Sequence, residues 1–197
     1  MNMKKLLITG FDPFGGESIN PSWEAVNGLP DTVGEWQLTK LQVPTVFGKA
    51  GETVLAAAKE LQPDAILCVG QAGGRAAVTP ELVAINLRYG RIADNAGVSP
   101  MDEPVVPNGP AAYFSTLPVR AMAQAVADAG LPGQVSYSAG AFVCNDLLYT
   151  VLHRYAGTPV RAAFVHVPFL PQQAKEGVPS MTQEDIQKAL QAIILAM

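Results

Sequence analysis

Charge is scarce in this chain of 197 residues: only 15% are Asp, Glu, Lys or Arg, and the formal net charge is -4. Its 13 basic residues are scattered, with only Lys4 and Lys5 adjacent, which leaves no basic stripe to meet a phosphate backbone and excludes nucleic acid as a partner. Histidine and cysteine are scarcer still, with two of each. Cys68 and Cys144 are too few for a disulfide scaffold. Together with His153 and His166 they match no common four-ligand zinc spacing, and a reducing cytoplasm is the compartment that fits. Long apolar runs are also missing. The charge-free stretches AILCVG and, at the C-terminus, ALQAIILAM fall far short of the ~18 residues a membrane-crossing helix needs, so no membrane partner is expected. The opening MNMKKLLITGFDPFGG begins like a signal peptide. Its apolar run stops at Gly10, short of a signal core of about 7–15 residues, and reads as a first buried strand.

What the chain does have is an apolar fraction of 49%, with 18 glycines and 16 prolines spread throughout and no linker, repeat or biased tract. That pattern predicts one domain over 1–197. Short β-rich apolar runs recur at 5–9, 37–43, 65–69, 82–87, 134–138 and 162–167. Helical stretches lie between them at 21–27, 48–61, 118–129, 143–155 and 182–196, the last opened by a capping box from Ser180 to Gln183. Strands that are apolar on both faces and alternate with helices predict an α/β fold with a mostly parallel sheet covered on both sides. The run 82–87 reads either as a further strand or as a hairpin or edge excursion.

In such a fold the loops after the strands share the carboxyl edge of the sheet, where ligands bind. If 134–138, the helix from Val143 and 162–167 form a right-handed crossover, Cys144 and His166 become neighbours at that edge. His153 lies nine residues further along the helix, about 14 Å at about 1.5 Å per residue, towards the opposite edge. It reads as a helix C-terminal residue facing the dipole and solvent, and Cys68 lies inside a strand. A thiol in the first turn of a helix gains stability as thiolate from the helix dipole and from a neighbouring imidazole, which makes Cys144 the better nucleophile candidate. Spacing alone leaves open the plainer alternative, a small buried hydrophobe. A carboxylate would complete the set by orienting the imidazole. Glu81 is best placed, with Asp12, Asp94 and Asp146 as weaker rivals, although the rarity of buried Glu favours a solvated loop residue.

The glycine-rich pieces GFDPFGG and GQAGGR match neither a dinucleotide fingerprint nor a P-loop, so they read as tight turns or as close backbone approaches to a small ligand. Phe11, Phe14 and Phe142 would form an apolar wall at the same edge, and core caps are the competing reading.

The chain resembles the pyroglutamyl peptidase I family of cysteine peptidases, also called pyrrolidone carboxyl peptidases. The resemblance rests on LITGFDPFGG with NPSWEAV at 7–26, GQAGGRAAVTPELVAIN at 70–86, SYSAGAFVCN at 136–145 and FVHVPFLP at 164–171, with RIADNAG at 91–97 in support. It implies a triad of Cys144, His166 and Glu81, the same residues that the edge geometry favours. The implied fold is a three-layer α/β/α sandwich around a mixed, mostly parallel twisted sheet. The implied reaction is removal of an N-terminal pyroglutamyl residue from peptides. Residues matching Phe11, Phe14, Asn20, Gln71, Ile92, Phe142 and Val143 line or approach the lactam pocket in the family, and the residue matching Arg91 lies near the scissile carbonyl. Family members often form homotetramers, so a homo-oligomer is expected. One departure is visible: the family commonly carries Arg or Lys directly after the glutamate, where this chain has Leu82.

In the mechanism expected on this basis, the aromatic rings sandwich the lactam while Asn20 or Gln71 pairs with its polar groups. Cys144 thiolate attacks, the Cys144 N–H with Arg91 holds the oxyanion, and His166 shuttles the proton. Neither a metal nor an organic cofactor is called for. Two competing classes are a purine-nucleoside-phosphorylase-like glycosyl transferase, whose fold the family resembles, and a non-catalytic binder of pyroglutamyl peptides.

Overall fold

The first apolar run forms a strand with a neighbour on each side, and the fold is organised around it. The protein, a computed structural model describing residues 3–197, places this strand β1 (Lys4–Phe11) in parallel pairing with β3 (Trp36–Val43) on one side and β4 (Ala65–Gln71) on the other. Beyond β4, strand β8 (Arg161–Val167) continues the parallel set. The two edges are antiparallel, β2 (Thr32–Val33) on β3 and β5 (Thr79–Glu81) on β8, giving the order β2-β3-β1-β4-β8-β5. A separate antiparallel ribbon pairs β6 (Val83–Ile85) with β7 (Ala112–Phe114), so the run 82–87 is an excursion outside the main sheet.

Successive side chains of a strand point to opposite faces. Leu6 and Ile8 of β1, with Leu67 and Val69 of β4, pack on α1 (Pro21–Asn27), α3 (Val119–Asp128) and α5 (Gln183–Leu195) through Val26, Met122 and Ile193. Leu7, Ile66 and Phe164 face the other way, onto Val54 of α2 (Lys49–Leu61) and Leu147 of α4 (Val143–Tyr155). The architecture is therefore an α/β/α sandwich around a mixed, mostly parallel sheet. Among the described residues no helix is long and apolar enough to cross a membrane.

Helix α1 begins where expected because Pro21 occupies its first turn and the Asn20 side chain caps it by accepting from Ser22 N at 3.1 Å. At α5 the expected capping box is corrected. Thr182 is the cap, with its hydroxyl accepting from Asp185 N at 3.1 Å, while Gln183 donates to the Glu24 carbonyl and Ser180 bridges to Phe169.

The expected strand at 134–138 is a second correction. This segment runs parallel to β5, but only as isolated bridges at Gly133 and Ser136. Val78 N donates to Pro132 O, Gln134 N to Val78 O, Ser136 N to Pro80 O and Leu82 N to Ser136 O. A parallel ladder needs one more bond at its centre, from residue 80, and proline has no N–H to donate. Because β5 is antiparallel to β8, this segment also runs opposite to β8. No β-α-β crossover therefore delivers α4, and the position of Cys144 has a different cause, a glycine in β4.

Candidate active site

Connections leave β1 towards β3 and return to β4 on its far side, so the chain reverses its winding between β1 and β4. Such a switch opens a crevice outside the carboxyl ends of the two strands. A cavity of about 340 Å³ lies there, lined by Phe11 at the end of β1, Phe14 and Asn20 beyond it, Thr45 after β3, Gln71 and Gly73 at the end of β4, Phe169 after β8, and Arg91, Phe142 and Cys144. A larger groove of about 680 Å³ at the opposite edge, lined by Lys59, Pro63, Arg154 and Pro159, holds none of these chemical groups. Chemistry, not size, selects the smaller cavity.

Gly70 brings the thiol to the sheet. A Cβ on this residue would sit 2.6 Å from the Phe164 ring and 3.0 Å from Cys144 Sγ, so the missing side chain is the space into which the first turn of α4 delivers its sulfur. In the β4–β8 ladder Gly70 is the register partner of His166. The neighbours of Cys144 hold that turn in place. Buried Asn145 bonds the backbone of Ile85 and Leu87 through its whole amide, at 2.9, 2.9 and 3.0 Å. Fully buried Asp146 pairs with Arg88 and accepts from Gly48 N at 2.7 Å. No side chain among the described residues caps α4, so its first-turn N–H groups lie beside the cavity without a side-chain partner.

Glu81 is fully buried in β5, which corrects the solvated-loop reading. Its Oε1 lies 2.7 Å from His166 Nδ1 and accepts from Arg75 Nη1 at 2.7 Å, whereas Oε2 has no partner among the described residues. Burial alone would raise this carboxyl, but the hydrogen bond and charge of His166, then Ser136 and Arg75, bring it below its ordinary value. With an ionised carboxylate opposite, Nδ1 of His166 carries the proton and Nε2 is left without one. Burial pulls the His166 pKa below its ordinary value despite the hydrogen bond and charge of Glu81, with Arg75 adding to the depression.

The surroundings of half-buried Cys144 oppose the expected thiolate. Burial first, then the negative charge of Glu81 and the nearby Cys68, push the thiol up to about 12, while Arg75 and a backbone hydrogen bond pull only weakly the other way. Both shifts favour the neutral thiol and the neutral imidazole, and no hydrogen bond joins the two among the described residues. Cys68, buried within β4, is likewise raised to about 12 by burial.

The other expectations divide. Phe14 and Phe142 meet with ring centroids 5.3 Å apart, and Phe47, which the sequence reading missed, stands edge-on to Phe142 at 5.1 Å. Asn20 lines the cavity, but its Oδ1 is committed to Ser22 N and Oγ and its amide donates to the Asp12 carbonyl. Gln71 is reached by Gln173 at 3.4 Å. Ile92 is 52% exposed and Val143 is buried in the core; neither lines the cavity. The rival carboxylates serve elsewhere, Asp12 on Thr45, Asp94 on the turn to Val98 and Asp146 on Gly48 and Arg88. His153 lies in the last turn of α4 as expected, half-buried, and its Nδ1 also meets the Tyr113 hydroxyl at 2.9 Å. Arg75 and Phe169, also missed, both lie inside motifs quoted above. Leu82 packs on the core, and Arg75 supplies the ion pair to Glu81 from six residues upstream.

A model of the pyroglutamyl peptidase family matches residues 4–197. The pyrrolidone-carboxylate peptidase of Levilactobacillus brevis is 53% identical, covering 98% of this chain and 97% of that one, and its Escherichia fergusonii counterpart is 49% identical, covering 98% and 92%. Among solved structures, pyroglutamyl peptidase I from Bacillus amyloliquefaciens superposes with a TM-score of 0.95 at 44% identity over 98% of this chain and 94% of that one. A mutant pyrrolidone carboxyl peptidase from Pyrococcus furiosus gives 0.93 at 40% identity, covering 98% and 97%. The chain belongs to the pyroglutamyl peptidase family and is a cysteine hydrolase of the pyroglutamyl peptidase I type.

Proposed function

We propose that the chain, acting as one catalytic domain, removes an N-terminal pyroglutamyl residue from peptides through a Cys144 thioester, with His166 as base and Glu81 as its orienter. One observation carries this reading: a buried Glu81–His166 pair at 2.7 Å beside a thiol lodged on the glycine opposite that histidine.

The pyroglutamyl group has no charged amine, and the cavity suits it: the rings of Phe11, Phe14, Phe142 and Phe169 contact the flat lactam. Gln71 and backbone groups satisfy the ring N–H and C=O, with the remaining Asn20 amide N–H in support. A site that hydrogen-bonds the ring carbonyl rejects proline, because its own polar groups would be left unpaired.

As the lactam seats, the scissile carbonyl meets the open N-terminus of α4. Sγ passes its proton to His166 Nε2 while attacking the carbonyl carbon, and the Cys144 N–H, with Arg91 at the cavity wall, receives the oxyanion. The Glu81 carboxylate stabilises the imidazolium. That imidazolium protonates the departing amine, and the neutral ring then activates water to hydrolyse the thioester. Release of a fluorescent amine from its pyroglutamyl and prolyl amides, before and after iodoacetamide, tests the reading. Pyroglutamyl-selective turnover lost with alkylation of Cys144 supports it, and turnover that survives that alkylation overturns it.

A further inference from the structure

Arg75 stands on the turn after β4, two residues beyond Gly73 of the cavity wall, and its guanidinium reaches three acceptors. Nη1 donates to Thr79 Oγ1 at 2.6 Å and to Glu81 Oε1 at 2.7 Å, and Nη2 donates to the Ser138 carbonyl at 3.2 Å. Thr79 is the register partner of His166, and Ser138 lies on the strand-like segment that leads to the nucleophile. The turn that aims the side chain is built on Gly74, whose φ of +86° favours glycine.

We propose that Arg75 is a positioning residue that fixes which carboxylate oxygen faces His166 and ties that carboxylate to the segment leading into α4 and Cys144; this rests on the triad reading above. The carboxylate geometry supports it. Oε1 receives both Arg75 and His166 while Oε2 has no partner among the described residues, so the guanidinium restrains rotation of the carboxylate about its last bond. A fully buried carboxylate facing only a neutral imidazole would be an uncompensated charge, and Arg75 neutralises it. The fork geometry matters, because an ammonium cannot serve in-line acceptors on two segments in the way a planar guanidinium does. Arg75 also opposes protonation of His166, so its charge keeps the base free at lower pH.

The test compares Arg75→Met, Arg75→Lys and Glu81→Gln in the full chain, with active sites counted by iodoacetamide incorporation. Arg75→Met is expected to lower kcat by roughly 10- to 100-fold with KM within about threefold, and to move the acid limb of the kcat/KM profile to higher pH. Arg75→Lys should restore the acid limb without restoring kcat. Arg75→Met added to Glu81→Gln should cost little more than Glu81→Gln alone, because the arginine acts through that carboxylate. An unmoved acid limb in Arg75→Met, multiplicative losses in the double variant, or parent-like kcat in Arg75→Lys would each overturn the inference. If Glu81→Gln itself turns over like the parent, the triad reading fails and takes the inference with it. If Glu81→Gln is slowed but Arg75→Met is not, only the inference falls.

Discussion

A single methyl group at Gly70 should separate site geometry from stability. In Gly70→Ala the new carbon lies 2.6 Å from the Phe164 ring and 3.0 Å from Cys144 Sγ, where ordinary contact begins at 3.4 Å. The ring must therefore retreat by about 0.8 Å and the sulfur by about 0.4 Å. Overpacking of this kind costs about 1–3 kcal/mol, a fall in Tm of roughly 2–10 °C for a chain of this size. A nucleophile displaced by a fraction of an ångström to an ångström loses up to about 100-fold in rate, or about 2.7 kcal/mol of transition-state stabilisation. Gly51→Ala is the matched control, because its methyl would meet Thr150 Cγ2 at 2.7 Å between α2 and α4, away from the sulfur. Both variants should melt early, but only Gly70→Ala should lose kcat on a pyroglutamyl amide. Parent-like kcat in Gly70→Ala, or an equal loss in Gly51→Ala, would refute the notion that this glycine seats the nucleophile.

Further expectations follow from the same geometry. Cys144→Ser and His166→Ala should each nearly abolish amide cleavage while Cys68→Ser keeps it, and steady-state rates normalised to folded protein check this. Alkylation of Cys144 by iodoacetamide should keep accelerating up to and beyond pH 9, because the thiol is raised to about 12; a rate flat between pH 6 and 8 would instead indicate a preformed thiolate. Stability should fall on both sides of a plateau. Glu81 and His166, both depressed on folding, lose their contribution as pH drops below their ordinary values of 4.5 and 6.5, and the two raised thiols, buried Cys68 and half-buried Cys144, destabilise the fold as pH rises above 9.0, so denaturant melts should peak between about pH 7 and 9. Asp146→Ala strands Arg88 and the Gly48 N–H, and the thermal melt should fall by an amount corresponding to about 3–5 kcal/mol.

Local signals were legible where the physics is local. Asn20 and Pro21 mark the start of α1 by capping chemistry, and the runs at β4 and β8 are apolar on both faces because both faces are covered. Helix α4 begins and ends at the residues its pattern predicts. What escaped depends on partners distant in the chain. Glu81 is buried because Arg75 neutralises it and His166, 85 residues away in the chain, hydrogen-bonds it, and the apolar pattern around it gives no hint of either. The protonation state of Cys144 follows from burial and from that same carboxylate. Strands of two and three residues, β2 and β7, are too short to show a period. The segment at 134–138 has the right residues for a strand, but its neighbour contributes a proline where a donor is required. The Cys144–His166 juxtaposition was reached through a crossover that does not exist; the carboxyl-edge rule held because α4 begins, and β8 ends, at that edge.

The order β2-β3-β1-β4-β8-β5 also governs assembly over time. β8 is the last strand to be synthesised, yet it pairs between β4 and β5, so an emerging chain presents β4 as an open edge until residues near 160 have left the ribosome. Closing the middle of a sheet last is a slow, long-range step that leaves strand edges exposed in the interim. His166 rides on that late strand, so the pair proposed to be catalytic comes together only at the final closure. A nascent or truncated chain is thus inert as a peptidase and at its most prone to aggregate during the same interval.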